Sequence, residues 1–161
     1  MRTDDLLPGE RVIGVFKQHW VVLLPSLAIW GLGGLVVLTV LLLLPMGSQQ
    51  RGPLLIAVLL IAALALALSF LRWRATEVVL TDQRVILNEG VIGRFSRSIA
   101  IDRIQDLTTY QGLWGRTWGF GDIELESAGR DGGEWLTRMP HPQGIRNAIF
   151  SQIEARRSYY R

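Results

Sequence analysis

The sequence predicts an α+β membrane protein: a two-helix transmembrane hairpin followed by a small, mostly β domain that ends in one helix. Three observations carry this. Two long apolar runs without charge fill the first half of the chain; from Arg74 onward the pattern changes to short alternating runs broken by turn residues; and near the C-terminus the period returns to that of a helix.

Nearly half of the 161 residues are hydrophobic, and the mean hydropathy is positive, as expected when much of a chain meets lipid. The absence of cysteine excludes disulfides, thiolate metal sites and cysteine nucleophiles. The net charge is only +3, and Lys17 is the single lysine among the basic residues. So mild an excess suits an anionic membrane face and gives no footprint for nucleic acid.

The apolar runs are Val21 to Leu44 and Pro53 to Leu71. At about 1.5 Å per residue they reach roughly 36 Å and 28 Å, against a hydrocarbon core of about 30 Å, so each spans once. The first is too long for the apolar part of a signal peptide, acids Asp4, Asp5 and Glu10 precede it, and no small-residue cleavage site follows. No polar stripe interrupts Leu54 to Leu68, which argues against a helix buried in a soluble core.

Between the runs, residues 45–52 are polar and rich in turn formers, so the chain returns to its starting side. Arg2, Arg11 and Lys17 flank the first run, and Arg72, Arg74 and Arg84 follow the second, while the loop offers only Arg51. The positive-inside rule then makes both termini cytoplasmic, in a multi-pass protein of the cell membrane. Residues 1–20 read as a cytoplasmic juxtamembrane segment, 21–71 as the hairpin and 72–161 as the cytoplasmic domain. Trp20 and Trp73 lie where interfacial anchors are expected. Gly31, Gly33 and Gly34 in one span, and Ala62, Ala63, Ala65, Ala67 and Ser69 in the other, supply the small residues through which helices in lipid pack; they form the expected hairpin seam, with an oligomer contact as the alternative. Neither span holds an ionisable residue, which removes support for a proton or ion pathway.

After the hairpin, strands are expected at 76–81, 84–88, 91–101, 104–110, 123–128 and 134–139, joined by Asp82-Gln83, Glu89-Gly90 and Asp102-Arg103. Gly112, Gly115, Gly119 and Gly121 are expected to keep the stretch from Tyr110 to Ile123 irregular. Ile145, Ala148, Ile149 and Ile153 recur at helical spacing, marking an amphipathic helix from about Pro142 to Arg157, with Arg156 and Arg157 in its last turn.

The order of short features from Leu80 to Gly129 resembles the second bacterial pleckstrin-homology (PH) domain family. These features are the L-T-x-x-R pair (Leu80, Thr81, Arg84), Gly90, the Ile101/Ile104 segment, Gly115-Arg116, and Gly119, Gly121 and Ile123. The resemblance extends from Trp73 to about Ile153 and implies a PH-like barrel or sandwich of seven strands with a C-terminal capping helix, often preceded by one or two membrane spans. Six strands are legible; the seventh is expected from a split of one of the longer stretches.

No active site is legible. His19 and His141 have no carboxylate at metal-ligand spacing, and no metal or other cofactor is expected. Glu124 and Glu126 share a strand face, most simply a solvated one. Ser96 and Ser98 lack a nucleophile context. PH-like domains suggest headgroup binding, but in residues 72–161 thirteen basic residues nearly balance eleven acidic ones, so phosphoinositide recognition has no support. Arg94, Arg97 and Arg103, together with Arg116, are the candidates for anionic lipid or an acidic partner, against the plainer reading of scattered solvated charges.

Tyr110, Leu113, Trp114, Arg116, Trp118 and Phe120 crowd into one glycine-rich connection. Aromatics there either fold into the core, the reading given more weight, or meet a partner; both stay open. The expected function is a non-enzymatic, membrane-anchored interaction or scaffold module, with this connection docking another membrane protein or a second copy. The alternative is a peripheral sensor of anionic lipid headgroups.

Overall fold

The computed structural model describes residues 6–45, 47–91, 93, 95–127 and 133–159. The described residues divide into two units: one joins the N-terminal segment through His19 to the residues from Ala75 onward, and the other is Trp20–Arg74.

In the first unit, seven strands form two antiparallel sheets, β1-β2-β3-β4 and β5-β6-β7. They are β1 (Val12–Lys17), β2 (Glu77–Thr81), β3 (Arg84–Glu89), β4 (Phe95–Ala100), β5 (Ile104–Tyr110), β6 (Phe120–Ser127) and β7 (Gly133–Pro140). The seventh strand is therefore not a split of a later stretch. It is β1, from the segment expected to be a bare juxtamembrane tail, and the β unit begins ahead of the apolar helices. β1 is short and alternating, with Ile13, Val15 and Lys17 more exposed than their neighbours, and it pairs with β2 from Val12↔Thr81 to Lys17↔Glu77. The long interval between β1 and β2 hid that pairing from a reading of local pattern.

Period-two alternation aims Val78 and Leu80 of β2, and Val85 and Leu87 of β3, at the core. They meet Ile104 and Leu107 of β5, Ile123 and Leu125 of β6, and Leu136 and Met139 of β7. The C-terminal helix, Pro142–Tyr159, adds Ile145, Ile149 and Ile153, a stripe at helical spacing, all buried. The sheets also meet at their margins: Gln18 Nε2 donates to the Thr137 carbonyl at 3.0 Å, the His19 N–H donates to the Arg138 carbonyl at 2.8 Å, and Arg97 of β4 pairs with Glu134 of β7.

The second unit holds two helices long and apolar enough to cross a membrane, Trp20–Leu43 and Gln49–Ala75. The first is irregular: a 3-10 turn (Trp20–Leu23) leads through Pro25 into a π segment (Leu27–Leu32) before regular α-helix begins at Gly33. The second starts at Ser48, so residues 49–52, expected in the turn, are helical, and Pro53 is taken up within the first turns. Arg51 Nη2 donates to the Leu44 carbonyl at 2.7 Å, helping to satisfy the end of the first helix.

Candidate functional site

Two features of the β unit stand out, a polar clasp and an apolar ridge. The clasp gathers three distant pieces of chain at the β2–β3 turn. Pro8 and Gly9, the latter at φ +83°, form the centre of a turn in which the Glu10 N–H donates to the Leu7 carbonyl at 2.9 Å. The Glu10 carboxylate is thereby turned inward. It accepts from Arg84 Nε at 2.9 Å and Arg84 Nη2 at 3.0 Å, from Thr81 Oγ1 at 2.7 Å and from the Leu7 N–H at 2.7 Å. Its side chain is fully buried. The hydrogen bonds from Arg84 hold its carboxyl down at about 2, against burial that alone would raise it. Beside it, the Arg11 N–H donates to Asp82 Oδ1 at 2.9 Å and Arg156 Nη1 donates to the Asp82 carbonyl at 3.0 Å. The Thr81 and Arg84 of the L-T-x-x-R pair thus fasten the N-terminal segment to the sheet.

The ridge is the stretch expected to be irregular. Leu113–Trp118 is a short helix, ended by Gly119 at φ +74°. Gly115 is its buried seat: a Cβ there would lie 2.5 Å from the Phe120 carbonyl oxygen, so only glycine lets the helix sit this close to the start of β6. Gln111 Nε2 reinforces the seat, donating to the carbonyls of Gly115 at 3.0 Å and Phe120 at 3.2 Å. With Gly115 facing in, the rest of the helix faces out. Leu113 is 83% exposed, Trp114 73% and Trp118 40%, and the two indoles meet edge-on at 6.2 Å. Core packing, the weightier sequence expectation for these rings, does not hold for Leu113 and Trp114.

Tyr110 stands apart from the ridge, its ring stacked 5.2 Å from that of Trp135 and its hydroxyl 3.2 Å from Glu124 Oε2. Phe120 is half-buried, 5.5 Å from the His19 ring. Arg116 is exposed on the short helix. Of the other arginine candidates, Arg97 is committed to Glu134 and lies over the Phe95 ring, Arg103 is exposed in the turn before β5, and Arg94 lies outside the described residues. Burial pushes the His19 imidazole down from its usual value, with the nearby His141 adding to the effect. Among the described residues no three His, Asp or Glu side chains gather as metal ligands would.

In the helical unit, Trp20 is 46% exposed at the start of the first helix, and the Trp73 ring lies 5.6 Å from Phe70. Of the expected seam residues, Gly34 faces the other helix, where its Cβ would stand 3.5 Å from that of Ala62, whereas Gly31 and Gly33 face open space. Ala63 and Ala67 are exposed, and Ala62, Ala65 and Ser69 are the more covered positions. Of the small residues expected along the second span, the Ala62, Ala65 and Ser69 stripe is the more covered one, and Ala62 is the residue that meets Gly34.

Two sheets with this strand order and a terminal helix in the core define a PH-like domain. The chain belongs to the bacterial PH-domain family, whose model matches residues 21–153 and so takes in both apolar helices as well as the strands after them. Among solved structures it is similar to a DUF1696-family protein with a pleckstrin-homology domain from Shewanella loihica PV-4. The two are 18% identical over 51% of this chain and 74% of the other, with a TM-score of 0.43. The comparison with curated proteins gave no match.

Proposed function

We propose that this chain is a non-enzymatic, membrane-anchored interaction module: a PH-like domain held at the cytoplasmic face of a bacterial membrane by a two-helix hairpin, serving as a scaffold or as one subunit of a membrane assembly. The observation that carries the reading is where the hairpin sits. Both apolar helices lie between β1 and β2, neighbours in one sheet. Because β1 and β2 pair in one sheet, the segments before and after the hairpin belong to one folded domain and share a compartment. Membership of a PH-domain family supports a binding role, and its partners are components of the same membrane, another membrane protein or a second copy. Tethering confines the domain to a thin layer beside the bilayer and raises its effective concentration toward such partners, so modest contacts suffice.

The alternative, sensing of anionic headgroups by an arginine patch, loses support from the pairing of Arg97 with Glu134. Crosslinking in native membranes followed by isolation of the full chain tests the reading: it predicts a reproducible membrane partner or a self-crosslink. Recovery of the chain from the soluble fraction would refute it.

A further inference from the structure

The ridge has a place in the domain as well as a composition. Lys17 and Glu77 are register partners at one end of the β1–β2 pair, so both connections to the apolar helices leave the sheet from that end. His19, the residue just before the first apolar helix, is held there by its N–H bond to the Arg138 carbonyl, and its ring lies 5.5 Å from that of Phe120. Phe120 follows Trp118 by two residues. Within the β unit, therefore, Leu113, Trp114 and Trp118 stand at the end from which the chain departs for the bilayer. The clasp at Asp82 and Arg156 marks the opposite end of β2.

We infer that this ridge is a third contact with the membrane, in which Leu113, Trp114 and Trp118 enter the boundary between headgroups and acyl chains while Arg116 meets lipid phosphate. The inference rests on the membrane-anchored reading above. An indole in that boundary keeps its ring in the apolar layer and its N–H hydrated, and arginine reaches out of it toward anionic headgroups. No acidic residue occurs from Gln111 to Gly119 to oppose that approach. A protein partner fits the ridge less well. Its three apolar side chains project from a helix of 6 residues and offer at most about 500 Å², short of the roughly 800 Å² per side that a stable protein interface buries.

Because the chain has no cysteine, single cysteines carrying an environment-sensitive nitrobenzoxadiazole dye can test the contact in the full chain. The protein is reconstituted in vesicles of phosphatidylcholine and phosphatidylglycerol, with and without a lipid spin-labelled near the headgroup. Four positions are compared: Leu113→Cys, Trp114→Cys, Leu59→Cys within the second apolar helix, and Ser158→Cys near the clasp. The inference predicts blue-shifted emission at 113 and 114 that the spin-labelled lipid quenches several-fold more than emission at 158. Water-like, unquenched emission at both ridge positions, with 59 still in lipid, would overturn it and leave the anchored reading standing. Blue-shifted emission that lipid does not quench but that falls on dilution of the protein would also overturn it, in favour of a second copy on the ridge. Emission at 59 that is itself water-like would remove the anchored reading, and the inference with it.

Discussion

Glu10 and Arg84, on either side of both apolar helices, form a two-pronged ion pair, Nε to Oε1 at 2.9 Å and Nη2 to Oε2 at 3.0 Å. The carboxylate is enclosed and also takes hydrogen bonds from Thr81 and Leu7. Removing one partner of such a pair leaves the other charge without compensation, the costly case for buried ions.

Glu10→Gln should therefore destabilise the full chain by about 2–4 kcal/mol near neutral pH. The pH dependence has a definite sign. A carboxyl lowered from 4.5 to about 2 on folding adds stability that is fully present above the unfolded value and is lost as pH falls through the folded one. Thermal unfolding of the detergent-solubilised protein should show the wild type losing its advantage over Glu10→Gln between pH 4.5 and 2. A constant difference across that window would mean that Glu10 does not titrate as the clasp requires.

Gly115→Ala tests the seat of the ridge. The added methyl meets the Phe120 carbonyl oxygen, so the short helix must lift or the start of β6 must shift, at a cost of about 1–3 kcal/mol. Leu113→Ala, on the open side of the same helix, should change the unfolding midpoint little. Equal effects from the two changes would contradict the assigned faces.

Arg97→Gln separates the two roles considered for that arginine. As the partner of Glu134 on a partly exposed margin, Arg97 should contribute at most about 1 kcal/mol to stability. Its loss should leave binding of added anionic vesicles unchanged in a flotation assay. A marked drop in salt-sensitive vesicle binding would restore Arg97 to the headgroup role.

Gly34→Leu should push the two apolar helices apart and lower the yield of protein in the membrane, because Gly34 faces Ala62. Gly31→Leu, facing open space, is the matched control and should be tolerated. Membrane yield of the two variants, measured side by side, decides whether this stripe or another carries the packing.

Six strands and the C-terminal helix were legible because their signals are local: the β-branched Val78, Val79 and Thr81 in Glu77–Thr81, turn residues at Asp82-Gln83, and the Ile145, Ile149, Ile153 stripe. β1 was not legible, because six alternating residues next to a long apolar run look like its flank, and the partner strand lies beyond both apolar helices. Glu10 was missed for the same reason: its partners Thr81 and Arg84 are 71 and 74 positions away. Of the ridge, its residues were visible in sequence but its form was not. Gly115 and Gly119 read as breakers, whereas one is a close-packing seat and the other ends a helix.

Cysteine accessibility in intact cells decides whether a membrane hairpin interrupts a sheet that lies in the cytoplasm. Single cysteines at Gln50, between the apolar helices, and at Ser158, in the C-terminal helix, are treated with a membrane-impermeant maleimide before and after lysis. Position 50 should label in intact cells, and position 158 only after lysis. Labelling of 158 in intact cells, or protection of 50 until lysis, would contradict this topology.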